Sequence, residues 1–571
     1  MAEVVSQTNS ATSPSSNKLG THVEVPLNDT IPIIFVPGIM GSNIFNKALG
    51  KPVWMLGNGA GKAKTLFQQM NKSPATLQKE LDYLNTEVDK SGMIKVDSRL
   101  KLTEQILRDR YWGTVHWDSY GGILTYLQWV LNNVDLKEQP IYGVGGVGGG
   151  YAAARQMKLQ ESIDEWKSLL NKTELGQWFP QAALTNVTQQ DIEHLKAFHF
   201  PVYAMGYNWL QSNENGAKIV SGKLDAIKKA LGGRFHKFII VTHSMGGLLT
   251  RRLVQIRKDV AGVVHGVMPA EGAAAAYRRI VSGSGDVGAV PAYVLGKNTE
   301  HVTAVLANAP GGLELLPSKA YNKGKPWLFL NGSGLMNGKD LQTNVVSLPQ
   351  TDPYSEIYKA DGVWWEMVKE ELIDPAKMVK RDNPKKRVKD VYKLRINDVQ
   401  AFHNKITNKY HPCTYANYGH DPKFSSFGTL TWTLDQAVRG LTADQMKRLP
   451  RASAKDVEAY NQNIAKDAMY MGQGAYHYIK ENMKENNGLR YITLTSGKFG
   501  TFKISEKNAD GDGTVPWQSG SAPLKQTGVK QVFKMKGFDH QGSYNNIHVR
   551  RSVLYSIVRI IKENNIQPKF R

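Results

Sequence analysis

The chain has 571 residues, a length that favours large insertions or several domains over one simple core. Its 72 Lys and Arg residues exceed its 50 Asp and Glu residues, and the resulting net charge of +22 favours anionic partners such as acidic lipid headgroups. No stretch approaches the ~18–20 apolar residues that a membrane-spanning helix requires. Cys413 is the single cysteine, which excludes an internal disulfide and a thiolate metal cluster.

Two polar segments bear on location and partners. Residues 1–28 are rich in Ser, Thr and Asn, which predicts a disordered tail without a cleaved signal peptide. The densest basic run, residues 377–389, is typical of a solvated loop, and no recognisable nucleic-acid-binding module accompanies it. We therefore expect synthesis in the cytoplasm and no nucleic-acid partner.

Short apolar runs alternate with helical patterns along much of the chain. The pattern predicts strands over residues 31–36, 201–205, 238–243, 260–268, 491–494 and 529–535, and helices over residues 123–134, 218–231 and 549–562. This succession is typical of an α/β fold with a mostly parallel central sheet and helices on both faces.

Two long segments interrupt this pattern. Residues 51–199 are mixed and turn-rich, and residues 313–487 are mainly helical and contain a tryptophan pair, Trp364 and Trp365, that we expect to be exposed. We predict one core formed by residues 29–312 and 488–571, with 51–199 as a first insertion and 313–487 as a helical cap or lid.

A serine stands at the junction between a predicted strand and a predicted helix. Residues 238–243 read FIIVTH, and Ser244 follows at once, before Met245, Gly246 and an amphipathic helical pattern. This setting is typical of a nucleophile elbow, a strained turn that exposes a serine hydroxyl at the edge of the sheet. Gly246 satisfies the crowding of such a turn, whereas Thr242 stands where a second glycine is usual.

A serine nucleophile requires a base and an acid that orients the base, and in this arrangement both follow the serine in the order Ser, acid, His. Asp512 lies in a turn after a strand, and His540 lies in the loop after the last strand. We predict Ser244, Asp512 and His540 as the catalytic residues. The alternatives are His548 or His243 for the base, and Asp510 or Asp539 for the acid.

The negative charge that develops on a carbonyl oxygen during acyl transfer requires backbone donors. We expect one donor to be the amide of Met245, directly after the nucleophile. The second should come from the loop after the first strand, residues 37–42 (PGIMGS), where we favour Ile39 over Met40.

Two further motifs resemble a calcium-binding loop and a dinucleotide-binding loop, but each lacks a required feature. Residues 508–513 (NADGDG) resemble the start of a calcium loop, but Ser519 stands where the closing glutamate is required. The glycine-rich residues 143–150 contain a nominal dinucleotide fingerprint, but they follow a helical pattern rather than a strand. We therefore expect neither a metal nor a cofactor.

Five motifs carry a resemblance to a known family. They are VPGIMGSN (residues 36–43), YNW (207–209), HSMG (243–246), GDGTV (511–515) and GFDH (537–540). In order and spacing they resemble the lecithin:cholesterol acyltransferase family, although Asn208 replaces the family's aspartate. The resemblance implies an α/β-hydrolase that acts on phospholipid acyl esters, with Ser244, Asp512 and His540 as its triad.

Two longer phrases are similar to a second group. VHGVMP (residues 264–269) and LANAPGG (residues 306–312) resemble bacterial type VI secretion lipase effectors, in the branch likened to the GPI inositol-deacylase. That resemblance implies a phospholipase toxin, exported without a signal peptide into the periplasm of a rival cell. Its implied partners are membrane phospholipid, a spike protein of the secretion apparatus and an immunity protein.

Two other functions remain open from the sequence. An intracellular acyltransferase or neutral-lipid esterase would use the same three residues, and competition between water and an alcohol acceptor separates these reactions. A catalytically dead hydrolase scaffold that binds a membrane or a protein is the other alternative, and the intact order Ser244, Asp512, His540 argues against it.

Overall fold

The computed structural model describes most of the chain. The described residues are 29–55, 72–137, 160–284, 296, 298–332, 335–336, 339–340, 345–434, 442–453, 455, 457, 488–494, 499–524 and 526–569. The predicted N-terminal tail and the glycine-rich residues 143–150 lie outside these ranges. Within the described ranges, no helix combines the length and apolar character that crossing a bilayer requires.

Six strands form the central sheet. They are β1 (Ile33–Val36), β2 (Val202–Ala204), β3 (Phe238–His243), β4 (Val260–Gly266), β5 (Thr414–Gly419) and β6 (Val529–Met535). Their order across the sheet is β6-β5-β4-β3-β1-β2, and every neighbouring pair is parallel. Because parallel strands end at the same edge, the loops that follow β1, β3 and β6 lie at one side of the molecule.

Helices cover both faces of this sheet. Among the longer described ones are α1 (Trp117–Leu131), α2 (Asn213–Leu231), α3 (Gly246–Ile256), α4 (Ala274–Ser282), α5 (Val388–Ile406) and α6 (Ile547–Glu563). Apolar residues of α2 and α3 join one core cluster, and those of α1 and α6 join another. The sheet separates the two clusters, since Ile34 of β1 belongs to the first and its neighbour Phe35 to the second. The predicted α/β-hydrolase fold is confirmed.

Local capping explains where the long helices begin and end. The Ser212 hydroxyl accepts a hydrogen bond from the amide of Asn215 at the start of α2. Gly232 ends this helix with φ of 56°, a conformation that glycine adopts without strain. At the start of α6, the Asn546 side chain accepts from the amides of His548 and Val549.

A second sheet of five strands lies outside the central one. In spatial order its strands are Val345–Leu348, Leu328–Asn331, Leu430–Leu434, Phe499–Ile504 and Leu489–Thr493. One neighbouring pair is parallel and the other three are antiparallel. The strand predicted at residues 491–494 therefore exists, but it belongs to this second sheet and not to the core.

The expected helical cap at residues 313–487 needs correction. This range contains helix α5, but it also contributes β5 to the central sheet and three strands to the second sheet. β5 has the sequence TYANYG, which contains no apolar run, so the hydrophobic pattern did not predict this strand. It is buried because β4 and β6 flank it on both sides. Two separate excursions, before and after β5, thus replace the single predicted insertion.

The tryptophan pair in this region is also placed differently from the expectation. Trp364 and Trp365 are buried, with 1% and 6% of their surfaces exposed. The Trp364 ring stacks on Phe502 of the second sheet at 3.8 Å, and its Nε1 donates to the carbonyl of Met446. The second sheet supplies the apolar surface that the sequence pattern did not reveal.

Shorter elements connect these strands and helices. Short strands are Asp29–Thr30, Ile44–Asn46, Lys51–Trp54, Thr86–Val88, Phe198–His199, Leu335–Met336, Lys339–Asp340, Asp421–Ser426 and Ala509–Gly511. Short helices are Pro74–Glu80, Glu104–Asp109, Lys172–Gly176, Gln189–His194, Thr299–Leu306, Pro310–Leu313, Glu370–Ile373, Met378–Asp382, Ala443–Lys447 and Trp517–Gly520.

Candidate active site

Ser244 occupies the turn between β3 and α3. Its φ of 52° is a left-handed value, which is uncommon for a residue other than glycine and marks local backbone strain. Two backbone hydrogen bonds hold the turn: the Ser244 amide donates to the Gly266 carbonyl, and the Gly247 amide donates to the Ser244 carbonyl, each at 2.9 Å. The predicted elbow is therefore present, with its serine at the carboxyl edge of the sheet.

The neighbours of Ser244 explain the tight turn. A Cβ atom at Gly246 would lie 2.4 Å from the Pro37 carbonyl oxygen and 2.6 Å from that of Val36, so α3 packs directly on the end of β1. Thr242 is accommodated on the other side, where its Oγ1 lies 3.0 Å from Nδ1 of His265 on β4. The adjacent strand thus provides a polar partner for a side chain that replaces the usual glycine.

Substitution of Gly246 by alanine should disturb the elbow because both clashing atoms are backbone carbonyl oxygens that cannot rotate away. We expect a loss of roughly 1–3 kcal/mol in unfolding free energy, the usual cost of overpacking, together with slower labelling of Ser244 by a fluorophosphonate. Gly222→Ala is the matched control, since Gly222 is an exposed residue within α2 with open space around it. This control should raise stability by roughly 0.5–1 kcal/mol. Equal stability of the two variants, measured by denaturant unfolding, would contradict the prediction.

His540 lies between Ser244 and Asp512. Its Nε2 is 2.8 Å from the Ser244 Oγ, and its Nδ1 is 2.8 Å from Oδ2 of Asp512. The His540 amide also donates to the Asp512 carbonyl at 2.7 Å, which joins the two loops through their backbones. The structure thus brings together the three residues that the sequence predicted.

Asp512 is 1% exposed, and its two carboxylate oxygens have different partners. Oδ1 accepts hydrogen bonds from the amides of Thr514 and Val515, at 3.1 and 2.7 Å. Oδ2 faces His540. The backbone donors hold the carboxylate in one orientation, so that Oδ2 can fix the tautomer of the imidazole.

The position of Asp512 depends on a pairing that links distant parts of the chain. Directly after β5, Asp421–Ser426 pairs antiparallel with Ala509–Gly511, and Asp512 follows that short strand. A Cβ atom at Gly419, the last residue of β5, would lie 2.7 Å from the Asp512 Cβ. The carboxylate therefore stands at the end of β5 although about ninety residues separate the two in the sequence.

The alternative bases and acids have other partners. His548 Nδ1 lies 2.7 Å from the Glu174 carboxylate. Asp510 faces His420 at 3.2 Å, and Asp539 accepts the amide of Gly542. These three side chains stabilise their local structure and do not contact Ser244.

The loop after β1 lies against the serine. The Gly41 amide donates to the Gly38 carbonyl, closing a turn in which Met40 has φ of 60°. The Trp54 Nε1 donates to the Met40 carbonyl at 2.9 Å, which holds the turn from outside. A Cβ atom at Gly38 would lie 2.9 Å from the Ser244 Cβ, so the loop is in direct contact with the elbow.

Some backbone amides near Ser244 are available to donate to an oxyanion. Among the described residues, nothing accepts a hydrogen bond from the amides of Ile39, Met40 or Met245. The neighbouring amides are occupied: Gly38 donates to Tyr120, and Gly41 donates within the turn. The arrangement is compatible with the predicted pair Met245 and Ile39, and the choice between Ile39 and Met40 stays a prediction.

Asn208 holds the insertion near this loop. Its Nδ2 donates to the carbonyl and to the Oγ1 of Thr86, at 2.9 and 3.0 Å, and its Oδ1 accepts the amide of Leu210. An amide serves this purpose because it both donates and accepts. The departure from the motif's aspartate therefore has a structural explanation.

Sequence reasoning missed Tyr120. This residue lies on α1, and its hydroxyl contacts both the Gly38 amide and the ring of His243. Burial raises the pKa of Tyr120 to about 12, so the hydroxyl keeps its proton at neutral pH. The helix predicted from the sequence begins at residue 123, so Tyr120 lay outside it, and a single tyrosine by itself indicates no site.

The basic run at residues 377–389 is paired with acidic residues only in part. Arg387 forms ion pairs with Glu370 and Asp361, and the buried Lys389 contacts Glu366. Lys377, Lys380, Lys385 and Lys386 are exposed. The run is a surface segment, as the sequence predicts.

The side chains of the calcium-like loop serve protein contacts. Asn508 Oδ1 accepts the amides of Gly428 and Thr429, and the two aspartates face histidines as described above. In the described part of the chain, no group of three or more His, Cys, Asp or Glu side chains is arranged to hold a metal ion.

Comparison with known proteins gives a similarity to a solved structure. A scan against protein-family models matches none, and a search of curated proteins finds no relative. Among solved structures, the chain is similar to a chain in the crystal structure of the Tle4–Tli4 complex, with 28% sequence identity and a TM-score of 0.68. The match covers 94% of this chain and 99% of that one, so it extends beyond the central sheet into the inserted segments.

Proposed function

We propose that this protein is a serine lipase that hydrolyses the fatty-acyl esters of membrane glycerophospholipids and acts as an antibacterial toxin. The observation that carries the proposal is the single imidazole of His540, which lies 2.8 Å from the Ser244 hydroxyl and 2.8 Å from the Asp512 carboxylate. A hydroxyl is a poor nucleophile until such a base removes its proton. The strained φ of Ser244 supports the same interpretation, since strain of this kind concentrates at functional sites.

In the proposed reaction, His540 takes the proton of Ser244 as Oγ attacks the acyl carbonyl. Asp512 stabilises the imidazolium that forms. The amides of Met245 and Ile39 donate to the developing oxyanion, and each such donor is typically worth ~10²–10³ in rate. His540 then protonates the oxygen of the leaving lysophospholipid, and a serine acyl ester remains.

Water completes the cycle. His540 removes a proton from the water that attacks the acyl ester, and returns it to Oγ as the fatty acid leaves. The net reaction consumes one phospholipid and one water, and yields one lysophospholipid and one fatty acid. All groups used are side chains and amides of this chain, without a cofactor.

The substrate class has separate support. The net charge of +22 favours an anionic membrane surface, to which each nearby Lys or Arg contributes roughly 1 kcal/mol. The motif resemblances described above point to phospholipid esters. Neither argument selects between the two ester positions of a glycerophospholipid.

The delivery of the toxin and its partners are part of the proposal. The similar chain was crystallised in the Tle4–Tli4 complex, which supports a dedicated protein partner for this chain as well. We assign that partner the role of an immunity protein in the producing cell. We further propose export through a secretion spike into the periplasm of the target cell.

Product analysis by mass spectrometry tests the proposal. The protein is mixed with liposomes of phosphatidylethanolamine and phosphatidylglycerol, beside the Ser244→Ala variant and with or without a long-chain alcohol. We expect lysophospholipid and free fatty acid from the unmodified protein alone. Transfer of the acyl group to the alcohol in place of hydrolysis would instead identify an acyltransferase. No product from the liposomes, despite rapid hydrolysis of a soluble ester, would overturn the phospholipid assignment.

A further inference from the structure

We propose that His243, the residue before the nucleophile, is a positioning residue that couples the oxyanion loop to the loop of the base. The inference rests on the proposed function, because it concerns the efficiency of the same site. Its basis is a chain of hydrogen bonds through Gly38, Tyr120, His243 and His540. These residues come from four separate segments: the loop after β1, helix α1, the end of β3 and the loop after β6.

The tautomer of His243 follows from its partners. Its Nε2 lies 2.9 Å from the His540 carbonyl oxygen, which only accepts hydrogen bonds, so Nε2 carries the hydrogen. Its Nδ1 lies 3.0 Å from the Tyr120 hydroxyl. Burial, together with the nearby His540, lowers the pKa of His243 to about 3, so the ring is neutral near pH 7. In a neutral ring the second nitrogen is an acceptor, and Nδ1 therefore accepts from Tyr120.

The direction of the remaining bond is then determined. The Tyr120 hydroxyl has one hydrogen, which it donates to His243, and its oxygen accepts the Gly38 amide at 3.1 Å. Every donor in the series meets one acceptor: Gly38 to Tyr120, Tyr120 to His243, and His243 to the His540 carbonyl. In a buried setting, successive hydrogen bonds of such a series strengthen one another.

Each end of this chain holds part of the proposed machinery. The Gly38 amide immediately precedes the peptide of Ile39, so fixing it orients the loop that offers the oxyanion donor. The His540 carbonyl belongs to the base itself, and fixing it limits how far that imidazole can move from Ser244. His243 thus links two loops, and the distance of each loop from Ser244 must stay constant for the reaction.

The packing around His243 leaves little alternative. Its ring lies 5.2 Å from the ring of His540, 5.5 Å from that of Tyr120 and 5.9 Å from that of Tyr544. A Cβ atom at Gly38 would lie 2.8 Å from Nδ1, so glycine is required for this approach. Both ring nitrogens are engaged away from Ser244, and His243 therefore acts through its neighbours rather than on the substrate.

Two substitutions separate the two bonds of His243. In His243→Asn the side-chain amide can occupy the place of Nδ1 and accept from Tyr120, while the bond to His540 is lost. In His243→Gln the amide can reach the place of Nε2 and donate to His540, while the bond to Tyr120 is lost. Tyr120→Phe removes the hydroxyl that contacts Gly38, His243 and the Gln541 side chain.

The measurements are kcat and KM on a soluble ester and the rate at which a fluorophosphonate labels Ser244. We expect each single variant to lower kcat and the labelling rate by roughly 10–100-fold, since small displacements of reacting groups have costs of this size, with KM changed by less than about 3-fold. Tyr120→Phe combined with His243→Gln should lose less than the product of the two single losses, because both variants lack the bond between Tyr120 and His243. Combined with His243→Asn, it should multiply the two losses.

Tyr126→Phe is the matched control. Tyr126 lies on the same helix, is buried, and donates its hydroxyl hydrogen to Glu165 at 2.7 Å, away from Ser244. We expect this variant to lower the melting temperature without slowing the labelling. Variants of His243 that melt like Tyr126→Phe yet label at the unmodified rate would overturn the inference and leave the proposed function intact. Fully multiplicative losses for Tyr120→Phe with His243→Gln would also overturn it. An unmodified protein that the probe does not label would instead refute the proposed function.

Discussion

Replacement of Ser244 by alanine should lower kcat for ester hydrolysis by on the order of 10⁶, the effect seen when a triad nucleophile or its base is removed. His540→Ala should cost a similar factor. The double variant should be no slower than either single one, because the two groups act as a unit. Asp512→Asn should cost roughly 10⁴, since the amide no longer holds the required tautomer of His540. The measurement is kcat for a soluble ester, with circular dichroism to verify folding.

Two rejected candidates supply the controls for these variants. His548→Gln changes a histidine that pairs with Glu174, and Asp510→Asn changes an aspartate that pairs with His420. Both should keep kcat within about 3-fold of the unmodified protein, because neither side chain contacts Ser244. A decrease in kcat by a factor of 10³ or more in either control would identify that residue as the catalytic base or acid.

Replacement of Glu314 by glutamine should make the stability of the protein much less sensitive to alkaline pH. Glu314 is 2% exposed, and its Oε2 accepts hydrogen bonds from the amide and the side chain of Asn213 at the start of α2. Burial raises the pKa of Glu314 to about 8, which the hydrogen bonds from Asn213 only partly offset. The nearby Glu214 acts in the same direction as burial, and His403 contacts the Glu314 backbone carbonyl.

The sign of this effect follows from proton linkage. Below about pH 4.5 the carboxyl is protonated in both states, so it contributes no pH dependence. Between about pH 4.5 and 8 the unfolded chain ionises and the folded protein does not, so the contribution of Glu314 to the unfolding free energy falls by roughly 1.4 kcal/mol per pH unit. Above that window the full cost is present.

Glutamine cannot ionise, and it can still accept from Asn213. The stability of Glu314→Gln relative to the unmodified protein should therefore rise by about 5 kcal/mol between pH 4 and 9, measured by denaturant unfolding at each pH. Glu87→Gln, at an exposed position, is the control and should change stability by less than about 0.5 kcal/mol. A constant difference between Glu314→Gln and the unmodified protein would show that Glu314 is ionised in the folded state.

The elements that the sequence predicted correctly carry their signal within a few residues. β6 was predicted at residues 529–535 and spans Val529–Met535, and the predicted helix 218–231 lies within α2. The elbow was recognisable for the same reason: an apolar strand, a serine and Gly246 follow one another directly. Asp512 and His540 could be proposed because each lies in a turn after a strand, in the chain order that this fold imposes.

Other features depend on partners that are distant in the sequence. β5 is a strand because β4 and β6 offer backbone groups on both sides, and its own residues show no apolar run. Trp364 is buried because Phe502 covers its ring. Tyr120 contacts His243 across 123 positions, and no local pattern encodes such a contact.

The sequence by itself therefore determined the α/β class, the elbow at Ser244 and the identities of the proposed base and acid, because hydrophobic period and turn chemistry act over short distances. The tertiary structure alone decided the strand order, the membership of β5 in the core, and the geometry in which His540 meets both Ser244 and Asp512. Those features arise when loops from separate strands meet at one edge of the sheet. The physical reason is that sheet pairing and buried hydrogen bonds are satisfied between segments, whereas helix periods and turns are satisfied within them.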